Sequence, residues 1–182
     1  ERSRGLGDVY KRQVNTFKSE LKLGGARPNL FEATLTSPAG GMADFRFMCK
    51  AAQLPGSTIP SIDVPYFGRQ VRYAGNRTFE PWTVTVLNDE NFTIRNSFEA
   101  WMAGINGHTS NLQSTGASEY KTDGKVFHYG KDGGLIATYS FLGVFPTELG
   151  AIELAWDTND VIEEFTVTLA MDYWTHADAS VT

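Results

Sequence analysis

Residues 77–91, RTFEPWTVTVLNDEN, constrain the fold more than any other part of the chain. Trp82, Val84 and Val86 recur at every second position. This two-residue period predicts a β-strand with one face packed against a core. Pro81 has no N–H to donate, so we expect the strand to lie at a sheet edge or to be paired only from Trp82 onward.

An acidic turn and an amphipathic helix are predicted directly after this strand. Asn88 or Asp89 can cap a helix because each side chain carries an oxygen that accepts from the first free backbone N–H groups. The apolar residues that follow recur at the spacing of one helical face: Ile94, Phe98, Trp101, Met102 and Ile105. The stretch therefore predicts a strand and a helix joined by a tight turn.

Two pairs of shorter segments also alternate. Residues 30–36 and 45–50 are expected to form a hairpin or to lie close together, with these residues inward: Phe31, Ala33, Leu35, Phe45, Phe47 and Cys49. Residues 125–129 and 135–145 flank the turn sequence GKDGG, whose glycines suit a hairpin. We expect Pro146 to end the second strand of that hairpin.

The last two predicted strands are residues 151–156 and 162–174. Their inward faces are expected to carry Ile152, Leu154 and Trp156 in the first strand and Phe165, Val167, Leu169, Met171 and Tyr173 in the second. Several short strands with one main amphipathic helix, and a short helix in residues 14–23, favour a mainly β sandwich or barrel.

The size of the chain suits one domain. With 182 residues, 41% of them hydrophobic, it can bury a sizeable core. Residues 1–13 show no clear pattern, and we expect them to be a non-native or disordered leader. Residues 14–182 are then a single domain.

Residues 51–75 are apolar but badly suited to a central strand. Three prolines interrupt Ile59, Ile62, Val64, Tyr66 and Phe67. Either this segment packs along the surface of its own domain, or it is a projecting arm that another chain covers. The sequence leaves both alternatives open.

A search for reactive groups gives no catalytic, cofactor or metal site. The three histidines have no metal-ligand spacing, and Cys49 has no cysteine partner, which indicates a structural thiol. Glu163 and Glu164 are adjacent on a predicted strand and so point to opposite faces. We expect no membrane span, and a net charge of −5 argues against a surface that grips nucleic acid.

Charge is unevenly distributed along the chain. Residues 132–182 contain nine acidic residues and no Lys or Arg. The basic residues lie earlier, with six of them near the first strands, the proline-interrupted segment and the central strand and helix: Arg46, Lys50, Arg69, Arg72, Arg77 and Arg95. A polarised chain can meet copies of itself head to tail, although a solvated dipolar surface explains the same pattern.

Four runs carry a resemblance to a known family: ARPNLF, AGNRTFEPWTVTVLNDE, FLGVFPTELGAIELAWDTND and FTVTLAMDYW. In this order they resemble the tail tube proteins of contractile-tailed, myovirus-type bacteriophages. The resemblance implies a β-sandwich with a flanking helix, similar also to the tube of type VI secretion. It implies six-membered rings that stack into an inner tail tube, which conducts DNA without binding it specifically.

The partners and location that the resemblance implies are those of a virion. They are the tail sheath, baseplate and tail terminator proteins, in a tail assembled in the host cytoplasm. A baseplate tube-initiator homologue is an alternative within the structural class. A β-sandwich carbohydrate-binding module is the alternative outside it and needs exposed aromatic residues around a groove.

Two sets of residues are the candidates for function. The apolar residues of the proline-interrupted segment are the inter-subunit contact candidates: Ile59, Ile62, Val64, Tyr66 and Phe67. The polar residues that alternate with the apolar face of the last strands are the lumen-facing candidates: Glu153, Glu164, Thr166, Thr168 and Asp172. An acidic or neutral polar bore would let DNA pass, whereas a basic bore would hold it.

Overall fold

The computed structural model describes residues 14–17, 25–40, 42, 45–157 and 160–178. The expected leader at residues 1–13 lies outside this part of the chain. Residues 14–17 are helical, whereas the rest of the expected helix at residues 14–23 also lies outside it.

Strands dominate the described residues. The helices are α1 (Phe45–Met48), α2 (Thr93–Ile105) and α3 (Ala117–Tyr120). The strands are β1 (Phe31–Leu35), β2 (Cys49–Ala52), β3 (Ser57–Thr58), β4 (Ser61–Tyr66), β5 (Arg69–Ala74), β6 (Thr78–Phe79), β7 (Trp82–Leu87), β8 (Thr122–Tyr129), β9 (Leu135–Leu149), β10 (Glu164–Ala170) and β11 (Tyr173–Asp178). The mainly β class expected from the sequence is confirmed.

The long strand β9 joins the two halves of the main sheet, whose strand order is β1-β8-β9-β10-β7-β2. All of these pairings are antiparallel. The first part of β9 pairs with β8 and β11, and its last residues, from Phe145 to Leu149, pair with β10. Gly143 lies between the two parts with φ +66°, a value that glycine adopts without strain. The strand therefore changes partners near this glycine.

Side chains from both halves of the sheet meet in one core. Trp82 of β7 is fully buried and stacks on Phe141 of β9, with 4.5 Å between the ring centroids. Gly124 of β8 leaves room for this ring, since a Cβ atom at that position would lie 2.9 Å from the indole. The core thus extends from β7 to the opposite half of the sheet, as in a sandwich.

The central strand and helix are confirmed. Along β7 every second side chain is buried, starting with Trp82, and β10 and β2 flank the strand on both sides, so β7 is not an edge. Asp89 accepts from the backbone N–H of Thr93 (2.9 Å) and from its hydroxyl (2.9 Å), which holds the start of α2. The helix buries Ile94, Phe98 and Trp101.

The strand expected at residues 45–50 is wrong except at Cys49 and Lys50, which begin β2, and no hairpin with residues 30–36 forms. The two segments do lie close together, as the ion pair between Arg46 and Glu32 shows. Residues 45–48 form α1, and only then does β2 begin. Phe45 donates its N–H to the carbonyl of Met42 (3.2 Å), and its buried ring meets Phe98 of α2 edge-on. Because the turn at Met42 buries Phe45 against a helix, β1 pairs with β8 instead and β2 pairs with β7.

The hairpin around GKDGG is confirmed, but Pro146 does not end its second strand. Gly130 donates to the carbonyl of Gly134 (2.7 Å), and Gly133 has φ +80°. Strand β9 continues past Pro146, which lies opposite Leu169 at a shift in register. A proline is tolerated at such an irregularity because one ladder hydrogen bond is already missing there.

The last two predicted strands are wrong in part. Residues 151–156 form no strand, and Leu154 and Trp156 are exposed rather than inward. Residues 162–174 divide into β10 and the start of β11. Asp172 lies between the two and donates its N–H to the carbonyl of Leu142 (3.0 Å). Tyr173 is exposed, whereas the β10 residues Phe165, Val167 and Leu169 are buried as expected.

Two tryptophans provide a test of the core. We expect Trp82→Ala to lower the free energy of unfolding by about 3–5 kcal/mol, because it leaves a cavity under Phe141. Trp156→Ala is the matched control, since its side chain is 103% exposed, and we expect a change within about 0.5 kcal/mol. Urea unfolding followed by circular dichroism measures both. Equal losses in the two variants would contradict the assignment of Trp82 to the core.

Candidate functional site

The proline-interrupted segment forms a projecting hairpin, which we call the arm and define as residues 61–74. It consists of β4 and β5, paired only with each other, and every residue of both strands is exposed. At its base, Gly75 donates to the carbonyl of Pro60 (2.7 Å). Of the two alternatives that the sequence left open, the exposed hairpin fits the projecting arm. That another chain covers this arm stays a prediction.

The arm has one apolar face. Ile62 lies opposite Tyr73, Val64 opposite Val71, and Tyr66 opposite Arg69, and residues directly opposite each other in an antiparallel pair share a face. The other face is more polar and carries an ion pair between Arg72 and Asp63 (3.3 Å). The apolar side chains of the first face are all exposed in the described chain.

The tip of the arm presents an aromatic residue in a strained turn. Phe67 and Gly68 connect the two strands with φ values of 45° and 76°, as in a type I′ turn. Phe67 is 91% exposed, and its ring meets that of Tyr66 edge-on at 4.7 Å. Ile59, the remaining contact candidate, precedes β4 and is also exposed. The structure thus places all five contact candidates on or next to the arm.

A second exposed apolar surface follows β9. We call residues 151–157 and 160–163 the acidic segment, because they carry Glu153, Asp157, Asp160 and Glu163. Four of its apolar side chains are between 66% and 103% exposed: Leu154, Trp156, Val161 and Ile162. A cavity of about 290 Å³, called the groove below, is lined by Glu153, Leu154, Ala155, Trp156, Val161 and Glu163.

The outer face of β10 and β7 is rich in threonine. Thr166 lies opposite Thr85, and Thr168 lies opposite Thr83. On the same face of β10, Glu164 forms an ion pair with Lys50 of β2. This face is therefore polar but carries little net charge.

The five lumen-facing candidates do not all share this face. Glu164, Thr166 and Thr168 alternate with the buried residues of β10 and do share it. Glu153 comes from the acidic segment and borders an open cavity of about 790 Å³ that Glu164 and Thr166 also line. Asp172 lies beyond β10 and binds Lys121 (2.7 Å).

Ion pairs within the chain use much of the basic charge that the sequence singled out. Arg46 pairs with Glu32 (2.7 Å), and Arg95 pairs with Glu99 (3.1 Å). Arg69 on the arm and Arg77 next to its base form no ion pair among the described residues. Within the described chain, Arg69 therefore leaves an unneutralised positive charge on the arm. The acidic segment carries the opposite, negative charge.

Two titratable side chains, those of Glu163 and His128, make hydrogen-bond contacts within the chain. Glu163 accepts from the side-chain amide of Asn88 (3.0 Å), and His128 Nε2 lies 3.0 Å from the carbonyl oxygen of Arg27. Within the described ranges, no three His, Cys, Asp or Glu residues are grouped as a metal site requires. The helices described there include none that is long and apolar enough to cross a membrane.

Cys49 is half-buried at the start of β2. Burial raises the pKa of its thiol to about 11, against a smaller lowering by a hydrogen bond to the carbonyl of Ala51. The thiolate is the reactive form of cysteine. These surroundings agree with the structural thiol that the sequence indicates.

A family model described as "Phage tail tube protein" matches residues 13–177 of the chain. The tail tube protein gp19 of Enterobacteria phage T4 is 37% identical over 150 residues, which cover 82% of this chain and 90% of that protein. The tail tube protein of Serratia phage KSP90 is 30% identical over 163 residues and covers 86% of this chain and 92% of its own length.

Solved structures of contractile injection systems share the fold. A chain of the PVC sheath–tube complex in the extended state superposes with a TM-score of 0.65 and 15% identity, covering 88% of this chain and 97% of that chain. A chain of the anti-feeding prophage cap, described as a tube-terminating cap, gives a TM-score of 0.63 and 18% identity, with coverages of 85% and 91%. At these identities the likeness concerns the fold alone.

The raised pKa of Cys49 makes a testable difference in reactivity. At pH 8 the thiolate fraction of the folded protein should be about a hundredfold below that of the unfolded chain, whose thiol has an ordinary pKa near 9. We therefore expect iodoacetamide to label the native protein at least that much more slowly than protein in urea. Comparable rates in both states would show that Cys49 is an accessible, ordinary thiol.

Proposed function

The chain belongs to the phage tail tube protein family, and from this premise we propose that its copies form six-membered rings that stack into the inner tube of a contractile tail. The tube lies inside the sheath, meets baseplate and terminator proteins at its ends, and conducts DNA during infection. The observation that supports the assembly is the arm, whose apolar face is exposed among the described residues of the subunit.

The arm is the proposed contact between subunits. Its apolar residues are between 41% and 91% exposed, and monomeric proteins rarely leave such residues contiguous on one surface. Burial of apolar area contributes about 25 cal/mol per Å². A neighbouring subunit that covers this face would therefore stabilise the assembly without any change in the core.

The outer face of β10 and β7 is the proposed lining of the bore. Its threonines are polar and uncharged, and Lys50 largely offsets the charge of Glu164. Retention of DNA requires clustered Lys or Arg that displace counterions. A threonine-rich lining lets DNA slide because it offers few such contacts.

The assembly is tested by the double change Ile62→Asp and Val64→Asp. We expect the purified wild-type chain to form rings and long tubes in negative-stain micrographs, whereas the variant stays monomeric because the charges oppose burial of the apolar face. Both positions are exposed, so the circular dichroism spectrum and unfolding midpoint should remain those of wild type.

Leu112→Asp is the control for this experiment. Leu112 is 69% exposed in the loop after α2, so the variant adds a charge at an apolar surface position away from the arm. Tubes of normal length from the arm variant would contradict the contact. Wild-type protein that stops at single rings would instead favour a tube initiator.

The lining is tested by Thr166→Lys combined with Thr168→Lys. We expect tubes of this variant to retain double-stranded DNA at low salt and to release it as salt rises, because the added lysines displace counterions from the phosphates. Co-sedimentation of fluorescent DNA with the tubes measures retention at each salt concentration.

Thr175→Lys combined with Ala177→Lys on β11 is the matched control, since it adds the same two charges at exposed positions of another strand. Intact double-lysine tubes that retain no more DNA than wild type would argue against the lining. So would labelling of a cysteine at position 166 in assembled tubes by a reagent too large to enter the bore.

A further inference from the structure

Two unpartnered apolar surfaces occur in the same subunit. Phe67 at the tip of the arm is 91% exposed, and Trp156 in the groove is 103% exposed, so neither covers the other within one chain. An aromatic residue of a second copy can enter the groove, and the groove of a second copy can cover the tip. The tip thus has an exposed aromatic side chain, and the groove has exposed apolar residues that can cover it.

The backbone conformation of the turn at the tip suggests a binding role for Phe67. Its φ of 45° lies in the left-handed region, where a bulky side chain is strained and glycine or asparagine is preferred. Strain of this kind clusters at binding sites, where the surroundings offset it. The described subunit leaves the Phe67 ring exposed, and the ring contacts that of the adjacent Tyr66 edge-on.

The charges around the two surfaces are opposite. Arg69 directly follows the turn, has no ion-pair partner in the described chain, and lies opposite Tyr66 on the apolar face. Glu153 and Glu163 line the groove, and Asp157 and Asp160 lie on the same acidic segment. An aromatic residue with a neighbouring arginine is the usual composition of an interface hot spot.

We propose that the tip of the arm inserts into the groove of a second copy of the chain. Phe67 packs between Leu154 and Trp156 of that copy, and Arg69 binds Glu153 at the rim. The inference rests on the proposed assembly and names the surface that receives the arm. Because tip and groove differ, the contact is head to tail, and each subunit uses both surfaces, which allows growth to continue.

Phe67→Asn and Trp156→Ala test the two sides of the contact. Asparagine relieves the strain of the left-handed turn, so Phe67→Asn should unfold at or above the wild-type urea midpoint. Trp156→Ala should unfold at the wild-type midpoint because Trp156 is fully exposed. We expect each to raise the protein concentration at which half of the subunits sediment as tubes by about tenfold or more, as loss of a hot-spot residue does. Leu112→Asn is the control for loss of an exposed apolar residue, with no expected change.

Charge reversal tests the pairing itself. Arg69→Glu and Glu153→Arg should each impair assembly, and the chain that carries both should assemble again, because every contact regains one positive and one negative partner. Lys131→Glu, in the turn between β8 and β9, is the control for a reversed charge.

The outcomes separate this contact from the proposed function. Wild-type tubes together with normal assembly of Phe67→Asn or Trp156→Ala would overturn the contact and leave the function standing. If the double charge-reversal variant assembles no better than the two single variants, the pairing of Arg69 with Glu153 is overturned. A wild-type chain that stays monomeric at every concentration would overturn both the function and the contact.

Discussion

The stacking of Trp82 on Phe141 depends on space that only glycine leaves. A Cβ atom at Gly124 would lie 2.9 Å from the indole of Trp82. Strand β8 must therefore carry a glycine at this position for the indole to be fully buried. Through this contact the central strand and the first part of β9 share one core. Strand β9 then continues past Phe141 and pairs with β10, so it changes partners along its length.

The subunit places its apolar residues in two different settings. One set fills the core around Trp82, Phe98 and Phe165, all of which are buried. The other set lies on the arm and the acidic segment and stays in water in the single chain. Burial of apolar area is favourable, so in the proposed assembly the second set contributes to stability where copies meet. Folding and assembly then depend on separate residues, so substitutions in the arm can affect one without the other.

The sequence predicts β7, α2 and the GKDGG hairpin because each has a pattern that one element alone explains. It fails at residues 45–48, where part of an alternating run folds into α1 and Phe45 packs against α2. It fails at residues 151–156 because alternation reveals two faces but not what covers them, and here Leu154 and Trp156 are exposed. The prolines, by contrast, correctly predict that residues 55–75 are no central strand of the main sheet, whereas Ala51 and Ala52 belong to β2 at its edge.

The same limit explains why a site of this kind is hard to recognise from sequence. A catalytic site combines reactive groups at a characteristic spacing, whereas a contact between copies uses ordinary apolar residues. Ile62 and Val64 alternate along β4 in the same way as Val84 and Val86 along β7. What distinguishes the two strands is their neighbours, since β7 lies between β10 and β2, whereas β4 pairs with β5 alone. We therefore propose that the next subunit covers the apolar face that the described part of the chain leaves exposed.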